Sequence, residues 1–399
     1  MQPATEAAVI VNGAGLAGSA CAIRLRQLGH SVILIDAARF PRRKLCGEFL
    51  GPDAMPVLET LGLLKTVIEQ SGAQVHTVHL YNTEGNPLKV KMEWLRQDYP
   101  YALAISRLIL DTLLVEQAKM LGAIVQEGCT IQEGVYSSTQ NEFELTIKPV
   151  NSPLAMSQHL KSSILVDASG RNSNLATIVK IPRHAESIEK ASSPRGAKQI
   201  EPYVGVQCHI DVTNESTDLN MYFFPGGYGG IQPFTANTAN LCLWVTPELA
   251  KLSKQDFRTF LHYTLGQNKA ARLHLGSAKA SEAIKTVAGL HSLHQIRTSS
   301  QTLLSAGDAL LAVEPFSGFG MSHALQTGLL VADCIHQGLE NAQTYEQIRK
   351  QYLLRYQAQF KLQFQVMCWM RPLLKQMFLQ KLLWPAIQPM LPAIIRFYR

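Results

Sequence analysis

The chain has 399 residues, 46% of them hydrophobic and 17% charged, which is typical of a globular protein with room for two domains. Its seven cysteines are scattered and include no CxxC pair, which argues against a zinc site or a disulfide framework and favours a reducing compartment. The chain does not open with a basic segment followed by an apolar stretch, so we expect no signal peptide and a cytoplasmic location.

Residues 8–36 combine, in order, an apolar run, a GxGxxG motif, a helical pattern, a second apolar run and an acid. Gly13 permits the tight turn that leaves the first strand, and Gly18 permits close packing of the helix on that strand. Gly15 lets the backbone approach a pyrophosphate at the positive end of the helix. The complete unit predicts a Rossmann-type dinucleotide site.

The other residues of this unit refine the prediction. We assign Leu16 and Ala17, which follow the second glycine, to the same phosphate site. Asp36, at the end of the second strand, is placed to accept hydrogen bonds from the hydroxyls of the adenosine ribose. Because an acid at this position favours a free 2′-hydroxyl, FAD or NAD is expected rather than NADP.

Four cations follow within six residues, at positions 39, 42, 43 and 44. We predict that Arg39 and Arg43 contact phosphate or flavin, although the same pattern also fits a solvated loop. Cys46 comes directly afterwards. A lone cysteine is usually a small buried hydrophobe, and a catalytic or substrate-gating role is the alternative interpretation.

Periodicity outlines the middle of the chain. Alternation predicts a hairpin over residues 75–95, and helical spacing predicts a helix over residues 104–121 that ends at Gly122. Residues 151–161 have the composition of a polar loop. An apolar strand is then predicted to end at Asp167, where small residues follow.

The second half of the chain alternates short β-like runs with helical segments. Residues 182–203 are polar, contain three prolines and predict a crossing between domains. Short strands with a glycine-rich turn are predicted over residues 203–245, helices over residues 247–275, and strands over residues 283–293 and 301–304.

A second junction between glycines and a helix lies further along the chain. A small-residue strand ends at Gly307–Asp308, and Gly318 and Gly320 precede a helix predicted over residues 321–339. The backbone N–H groups at the start of this helix, near Met321, can meet an anion or a carbonyl oxygen.

The chain contains four separated motifs: the glycine motif with Asp36, Ser106–Arg107 with Asp111, Asp167–Gly170 with Ser173, and Gly307–Asp308 with Pro315, Gly318 and Gly320. Together they resemble the motifs of the superfamily of FAD-dependent monooxygenases and geranylgeranyl reductases, the aromatic-hydroxylase-like flavoproteins. The resemblance spans about residues 8–335. It implies an α/β fold with a discontinuous Rossmann-type FAD domain, a β-sheet substrate domain and a helical C-terminal tail.

The implied domains interleave along the chain. They are residues 1–75, 101–182 and 295–340 for FAD, residues 76–100 and 183–294 for substrate, and residues 341–399 for the tail.

The resemblance also implies roles for three charged residues. Arg107 would contact the cofactor, Asp167 would belong to the central FAD motif, and Asp308 would accept a hydrogen bond from a ribityl hydroxyl. From the residues alone, Arg107 also fits an ordinary (i, i+4) ion pair with Asp111. Asp167 also fits a turn at the end of a strand.

Several matches lean to the reductase and halogenase-like branch. The segment around Cys46 resembles the reductase segment whose cysteine lies near flavin and substrate. Tyr228 stands in a run with the spacing of the reductase motif PxxYxWxFP, whose aromatic residues shape an isoprenoid pocket. Gly230 and Gln232 stand where that motif has tryptophan and phenylalanine, which argues for a different substrate. The halogenase tryptophan pair is also missing.

The leading hypothesis is an FAD-dependent monooxygenase that hydroxylates an apolar aromatic or polyketide-like molecule through a flavin hydroperoxide. NADPH or NADH would be the transient electron donor, unless a separate flavin reductase supplies the electrons. The close rival is a reductase of an isoprenoid or other alkene, and the remote alternative is a flavin-binding protein without turnover. Cys46 and Tyr228 are the candidate catalytic residues, and neither a metal nor nucleic acid is expected.

Residues 345–399 carry nine Lys or Arg and one acid, a net charge of +8, which leaves about −1 for the other 344 residues. The longest uncharged run, Leu382–Ile395, has fourteen residues and three prolines, which is too short and too broken to span a bilayer. The tail therefore predicts either an amphipathic segment on an anionic membrane surface, at the inner face of a membrane, or a helical cap on the substrate domain.

Overall fold

The computed structural model describes residues 5–150, 156–182, 203–213, 216–254, 256–275, 278–290, 296–297, 302–375 and 377–397. Most of the predicted crossing between domains therefore lies outside the described residues, as does the first part of the predicted polar loop at residues 151–155. The domain boundaries stay a prediction. The described residues form two large sheets, a small sheet and helices packed on them.

The first large sheet contains the strand of the GxGxxG motif. With all strands numbered in chain order, it consists of β1 (Thr5–Asn12), β2 (Val32–Asp36), β8 (Ile124–Glu127), β9 (Cys129–Ser137), β10 (Glu142–Pro149), β11 (Gln158–Asp167), β12 (Val179–Lys180) and β19 (Leu304–Ser305). The spatial order is β12–β9–β10–β11–β1–β2–β8, and β19 pairs with the end of β11. β1 lies between β11 and β2 and is parallel to both. Parallel strands are usually covered on both faces of the sheet, which explains the continuous apolar runs in their sequences.

The second large sheet is mainly antiparallel. It consists of β5 (Thr77–Tyr81), β6 (Pro87–Lys91), β13 (Tyr203–Asp211), β14 (Leu219–Phe224), β15 (Gly227–Pro233), β16 (Thr238–Val245), β17 (Lys279–Ala280) and β18 (Lys285–Leu290). The order is β17–β13–β16–β15–β14–β5–β6, with β18 also paired to β13. A small sheet of β3 (Phe49–Leu50), β4 (Ala73–Val75) and β7 (Ala102–Ala104) completes the set.

The helices cover the sheets. They are α1 (Leu16–Gln27), α2 (Met55–Thr60), α3 (Leu64–Gln70), α4 (Met92–Leu95), α5 (Arg107–Met120), α6 (Leu175–Ile178), α7 (Pro247–Leu252), α8 (Phe257–Tyr263), α9 (Lys269–Leu275), α10 (Gly320–Glu340), α11 (Tyr345–Lys375) and α12 (Met377–Phe397). α1 and α10 pack unusually closely, because a Cβ at Gly328 would lie only 2.2 Å from the carbonyl oxygen of Ala17. This contact brings the N-termini of both helices to the same end of the first sheet.

The two C-terminal helices have different neighbours. Along the first half of α11, Tyr345, Tyr352, Tyr356 and Phe360 are buried in the core of the first sheet. α12 instead packs on the hairpin of the second sheet, where Trp384 is buried and its indole N–H donates to the carbonyl oxygen of Asn86 at 2.9 Å. No helix among the described residues is both long and apolar enough to cross a membrane.

Short patterns predicted several elements correctly. The predicted hairpin is β5–β6, paired antiparallel across a turn at residues 82–85. The predicted helix over residues 104–121 is α5, which begins after Ser106, whose hydroxyl accepts a hydrogen bond from the N–H of Leu108. Three helices, α7 to α9, occupy the predicted helical region, and β18 and β19 lie at the two predicted late strands.

Two local predictions were wrong in part. The polar loop predicted through residue 161 ends earlier, because β11 begins at Gln158 and pairs with β1 and β10, which satisfies its backbone despite its polar composition. The glycine-rich turn is confined to Pro225–Gly226, and the glycines that follow belong to β15. A Cβ at Gly229 would lie 2.1 Å from Leu243 on β16, so packing between adjacent strands explains the lack of a side chain there.

Candidate active site

A single cleft collects most of the predicted site residues. It lies where the carboxyl ends of the central parallel strands meet β14, β15 and β16 of the second sheet, and it encloses about 1270 Å³ including the part open to solvent. The predicted residues that line it are Gly15, Leu16, Ala17, Cys46, Arg107, Tyr228, Asp308, Gly318, Gly320 and Met321. Gly13, Gly18, Asp36, Arg39, Arg43 and Asp167 are not among its lining residues.

The glycines of the first motif divide into two kinds. A Cβ at Gly13 would lie 2.4 Å from the carbonyl oxygen of Ala168, and a Cβ at Gly18 would lie 1.8 Å from the carbonyl oxygen of Gly13. These two positions are closed by backbone packing. A Cβ at Gly15 would meet only the Arg42 guanidinium, at 3.8 Å. The space beside Gly15 is therefore open to a ligand, as a pyrophosphate at the start of α1 requires.

Asp36 is held rigidly at the end of β2. Its carboxylate accepts hydrogen bonds from the N–H of Ala14 at 2.7 Å and from the N–H of Ala38 at 2.8 Å. The Arg42 guanidinium lies 3.8 Å from the same carboxylate. This fixed position beside the glycine turn is compatible with the predicted ribose contact.

The predicted cations go to different places. Arg43 pairs with Glu282, in the loop between β17 and β18 of the second sheet, and Arg39 lies against Gly128. Arg42, which spacing alone did not single out from its neighbours, is the cation nearest the glycine turn. It stacks on the ring of Phe40 at 4.9 Å, and its buried Nε has no hydrogen-bond partner. An arginine with a spare donor at this end of the cleft suits a phosphate.

Arg107 and Asp167 both show the local interactions that their spacing allows. Arg107 forms a bidentate, buried ion pair with Asp111 at 2.7 and 2.8 Å while also lining the cleft. Asp167 accepts hydrogen bonds from the hydroxyls of Ser169 and Ser173, both at 2.6 Å, and burial raises its pKa. The Asp167 carboxylate therefore stabilises the turn that follows β11, and residues of this turn line the cleft.

The late motif forms the edge of the cleft beside the start of α1, because a Cβ at Gly307 would lie 3.0 Å from the Cβ of Ala17. Gly307 has φ +59°, and its N–H donates to the hydroxyl of Thr327 on α10, which fixes the turn. Asp308 follows it into the cleft and lies 3.8 Å from the guanidinium of Arg171. A Cβ at Gly320, the first residue of α10, would meet no atom within 4 Å. The N-terminus of α10 therefore faces open space.

Cys46 is half-buried in the cleft wall. Burial raises the pKa of its thiol, although the nearby Arg107 acts in the opposite direction. The backbone of Cys46 is anchored on the second sheet, where its N–H donates to Gln207 and its carbonyl oxygen accepts from Asn240. Cys46 is thus placed as a neutral thiol rather than as a thiolate nucleophile.

A buried acid next to Cys46 was not singled out from the sequence. Glu48 is buried, and its backbone has a left-handed conformation with φ +56°. Its carboxylate lies 2.8 Å from Nε2 of His209 on β13. The other ring nitrogen lies 3.4 Å from Glu282, and the hydrogen bond to Glu48 raises the pKa of His209. Glu48 and His209 are 161 positions apart, so no local spacing could have predicted the pair.

Tyr228 lies on the opposite wall among aromatic rings. Its hydroxyl donates to Glu314 at 3.1 Å, and burial raises its pKa well above the usual value. The rings of Phe223 and Phe316 lie 6.0 and 5.9 Å from the Tyr228 ring. Tyr228 is therefore a neutral, oriented part of an aromatic wall.

The two positions that depart from the reductase motif also lie on this wall. A Cβ at Gly230 would be in tight contact with Leu219 at 3.2 Å and would lie 3.5 Å from Met221. Gln232 is only 1% exposed, lines the cleft, and has an Oε1 without a hydrogen-bond partner. At these two positions, aliphatic side chains and one amide therefore take the place of the motif's two aromatic rings, beside the rings around Tyr228.

Comparison with known proteins identifies FAD as the cofactor of this family. The family model described as FAD binding domain matches residues 6–352. The chain belongs to this FAD binding domain family. The open positions at Gly15 and Gly320, the free donor on Arg42 and the two helix N-termini fit FAD, with Asp308 at the edge of the same space.

Individual relatives have different activities. The menaquinone reductase of Mycolicibacterium smegmatis is 25% identical over 345 residues, which cover 84% of this chain and 77% of that protein. The flavin-dependent brominase Bmp2 superposes with a TM-score of 0.76 at 16% identity over 98% of this chain and 94% of that one. The P. aeruginosa protein PqsL, solved with 2-aminobenzoylacetate, gives a TM-score of 0.67 at 20% identity over 88% of this chain and 92% of that one. The structural matches establish a shared fold, and the chain is an FAD-dependent oxidoreductase of this family.

Proposed function

We propose that this protein is an FAD-dependent monooxygenase that hydroxylates an apolar aromatic molecule and takes electrons from NADPH or NADH. The observation that carries the proposal is the wall at Gly230. Because a Cβ there would already be in tight contact with Leu219, the position has no room for the indole that the reductase motif expects unless its neighbours move. The substrate side of the cleft is thus built for a different molecule than the isoprenoid of that motif.

The residues around the cleft suit this role. When bound, FAD supplies the oxygen and electron chemistry, while the chain binds it, orients it and keeps water away. Phe49, Leu219, Met221 and Trp244 give the substrate side an apolar surface. The N-terminus of α10, which begins at Gly320, places partial positive charge where negative charge on the reduced cofactor would be stabilised.

A reductase of an isoprenoid or quinone-linked alkene is the second candidate. It is favoured by the alignment with a menaquinone reductase over most of the chain and by Cys46, a neutral thiol in the cleft wall. Reduction of an alkene adds a hydride to one carbon and a proton to the other, and a protonated thiol is a suitable proton donor. In a monooxygenase, Cys46 would instead be part of the wall.

One experiment separates the two candidates. The purified flavoprotein is mixed anaerobically with NADPH or NADH in a stopped-flow instrument, with and without alkylated aromatic and prenyl compounds, and oxygen is then admitted. Products are identified by mass spectrometry. Gain of one oxygen atom by an aromatic compound supports the monooxygenase, whereas gain of two hydrogen atoms by an alkene without oxygen consumption contradicts it.

A pair of cysteine variants sharpens the result. Cys46→Ala should leave hydroxylation within about threefold of wild type, because a packed wall residue costs little when truncated by one atom. Cys242→Ala, at another cysteine of the same cleft, is the matched control. Loss of most alkene reduction in Cys46→Ala, but not in Cys242→Ala, would favour the reductase.

We also propose that the basic C-terminal region contacts an anionic membrane surface. α12 is held on the second sheet by Trp384, and Gln388 bonds both the N–H and the carbonyl oxygen of Lys89. Its outer side carries exposed apolar residues, among them Leu383 and Met390. This arrangement, together with the charge of the region, supports a surface contact next to an apolar substrate cleft.

A further inference from the structure

The segment of residues 42–48 connects the glycine turn with the second sheet. It follows β2 in the chain and ends directly before β3. At its start, the guanidinium of Arg42 faces Gly15, where we expect the pyrophosphate. At its end, the carboxylate of Glu48 contacts His209 on β13 of the second sheet. One short segment therefore carries a cation for the cofactor and an ionic contact to the opposite sheet.

Both ring nitrogens of His209 face carboxylates. Nε2 lies 2.8 Å from Glu48, and Nδ1 lies 3.4 Å from Glu282, in the loop between β17 and β18. Glu282 also pairs with Arg43, the second residue of the 42–48 segment. His209 and Glu282 together therefore hold the segment at two points, Arg43 and Glu48.

This arrangement fits the charged form of the imidazole. A charged ring has two N–H groups and can donate to both carboxylates, whereas a neutral ring has one N–H and turns a lone pair towards the other carboxylate. The hydrogen bond to Glu48 raises the pKa of His209 above its usual value of 6.5. The contacts should therefore be complete at mildly acidic pH and weaken as the pH rises through the raised pKa.

The other groups around the ring must be separated from this effect. The ring of Phe234 lies edge-on at 5.6 Å from the imidazole. A small cavity beside the imidazole is lined by three cations, Arg43, Lys44 and Lys285. Lys285 pairs with Glu282 at 3.2 Å, and burial lowers the pKa of Lys44. Because Lys44 is a second group that can lose its proton as the pH rises, only variants of His209 isolate the histidine.

We propose that charged His209 positions the 42–48 segment for FAD binding, and that FAD affinity falls when His209 loses its proton. The contacts at Arg43 and Glu48 restrict the positions open to Arg42. A restricted segment loses less conformational freedom when FAD binds, so binding is more favourable. His209 is a positioning residue, because it acts on the cofactor through the segment. The proposal concerns cofactor binding and applies to hydroxylation and to alkene reduction alike.

Protonation and FAD binding must then influence each other equally. If the charge on His209 favours FAD, bound FAD must raise the pKa of His209 by the same free energy. An affinity about fivefold higher in the charged form corresponds to a pKa about 0.7 higher in the FAD-bound protein than in the apoprotein. The proposal can therefore be tested from both directions.

The first test measures FAD affinity without turnover. The full-length apoprotein is titrated with FAD between about pH 5.5 and about pH 9, and Kd is read from the change in flavin fluorescence. The wild-type Kd should rise about fivefold across this range, as the contacts of the charged ring are lost. In His209→Gln, which is uncharged at every pH, the rise should be less than about twofold.

His79→Gln is the matched control. His79 forms a similar pair on β5 of the same sheet, where its Nε2 lies 3.1 Å from Asp218. Neither residue of this pair is among those that line the cleft or the small cavity beside His209. The control should keep the pH dependence of the wild type, whereas Glu48→Gln, at the other side of the proposed contact, should lose it.

The second test measures the pKa of His209 by NMR titration of the wild type with and without FAD. The resonance is the one missing from His209→Gln, or is assigned by its proximity to the ring of Phe234. This comparison remains decisive if a variant fails to fold.

Two results would overturn the proposal. The same pH dependence of FAD affinity in the wild type and His209→Gln would assign that dependence to another group, such as Lys44. Equal pKa values of His209 with and without FAD would show that its contacts do not influence cofactor binding. The reaction that the bound FAD supports does not enter either measurement, so the proposed function is tested separately.

Discussion

The two walls of the cleft are built in different ways. What we propose to be the cofactor wall consists of backbone turns and helix starts, and behind it Gly13 and Gly18 are closed by other backbone atoms. What we propose to be the substrate wall consists of side chains from β14, β15 and β16, among them Tyr228 and Gln232 on β15. A backbone wall cannot adjust to an added atom, whereas a side-chain wall can change its surface and keep its frame. The predictions below test this difference, from the largest expected effect to the smallest.

Gly18→Ala should break the cofactor wall. The new Cβ would lie 1.8 Å from the carbonyl oxygen of Gly13, so strand and helix must separate. We expect a loss of roughly 3 kcal/mol or more in the free energy of unfolding and little bound flavin. Thermal unfolding and the flavin-to-protein absorbance ratio measure both effects. A stable, fully yellow variant would contradict the packing at this turn.

Gly15→Ala should separate cofactor binding from folding. Its Cβ meets no protein atom closer than the Arg42 guanidinium at 3.8 Å, so the fold should be retained. The methyl group would occupy the space expected for the pyrophosphate, and FAD affinity should fall about tenfold or more, about 1.4 kcal/mol. Reconstitution of the apoprotein with FAD, followed by flavin fluorescence, gives the affinity. Unchanged affinity would place the pyrophosphate elsewhere.

A smaller effect is expected at the edge of the substrate wall, from the pair of Glu48 and His209. The hydrogen bond to Glu48 raises the pKa of His209 above its usual value near 6.5. A histidine whose pKa is raised by folding stabilises the folded state below its unfolded pKa, and this contribution disappears as pH rises through the folded pKa. The pair should therefore add roughly 1–2 kcal/mol at about pH 5.5 and less at about pH 8.5.

Urea unfolding of the wild type and of His209→Gln at both pH values measures this effect. The difference in the free energy of unfolding between the two proteins should be larger at the lower pH. A difference that is the same at both pH values, or larger at the higher one, would show that His209 is not held in its charged form by Glu48.

The smallest effect on the fold is expected from changes to the charge of α12. Lys381→Gln combined with Arg396→Gln should weaken the affinity for anionic vesicles about 30-fold, because each of the two basic residues near such a surface contributes about 1 kcal/mol. Flavin content should be unchanged. The matched control is Lys251→Gln on α7 combined with Lys254→Gln just after it. Equal sedimentation of all three proteins would contradict the membrane proposal.

The burial of α11 determines which changes to the tail can test the membrane proposal. Truncation at Tyr345 would remove Tyr352, Tyr356 and Phe360, which are buried in the core of the first sheet. If the truncated protein failed to bind membranes, unfolding would explain the loss as well as removal of the tail. Charge substitutions on α12 avoid this ambiguity.

Residues that act within one short unit were accessible from sequence. The glycine motif, Asp36 and the hairpin of β5 and β6 each depend on neighbours in the chain, so their spacing is sufficient. Local spacing was not sufficient to predict the contacts of the four cations at positions 39, 42, 43 and 44. Sequence placed four cations near the phosphate site, but only the fold determined that Arg42 faces Gly15 while Arg43 pairs with Glu282, in a loop of the other sheet.

The sequence by itself determined the FAD-binding frame, because backbone turns and helix starts leave a fixed pattern of glycines and small residues. Only the tertiary structure decided which side chains complete the cleft. The pair of Glu48 and His209 and the burial of Gln232 depend on segments brought together from distant parts of the chain. Such contacts follow from packing, and packing leaves no periodic signal along the chain.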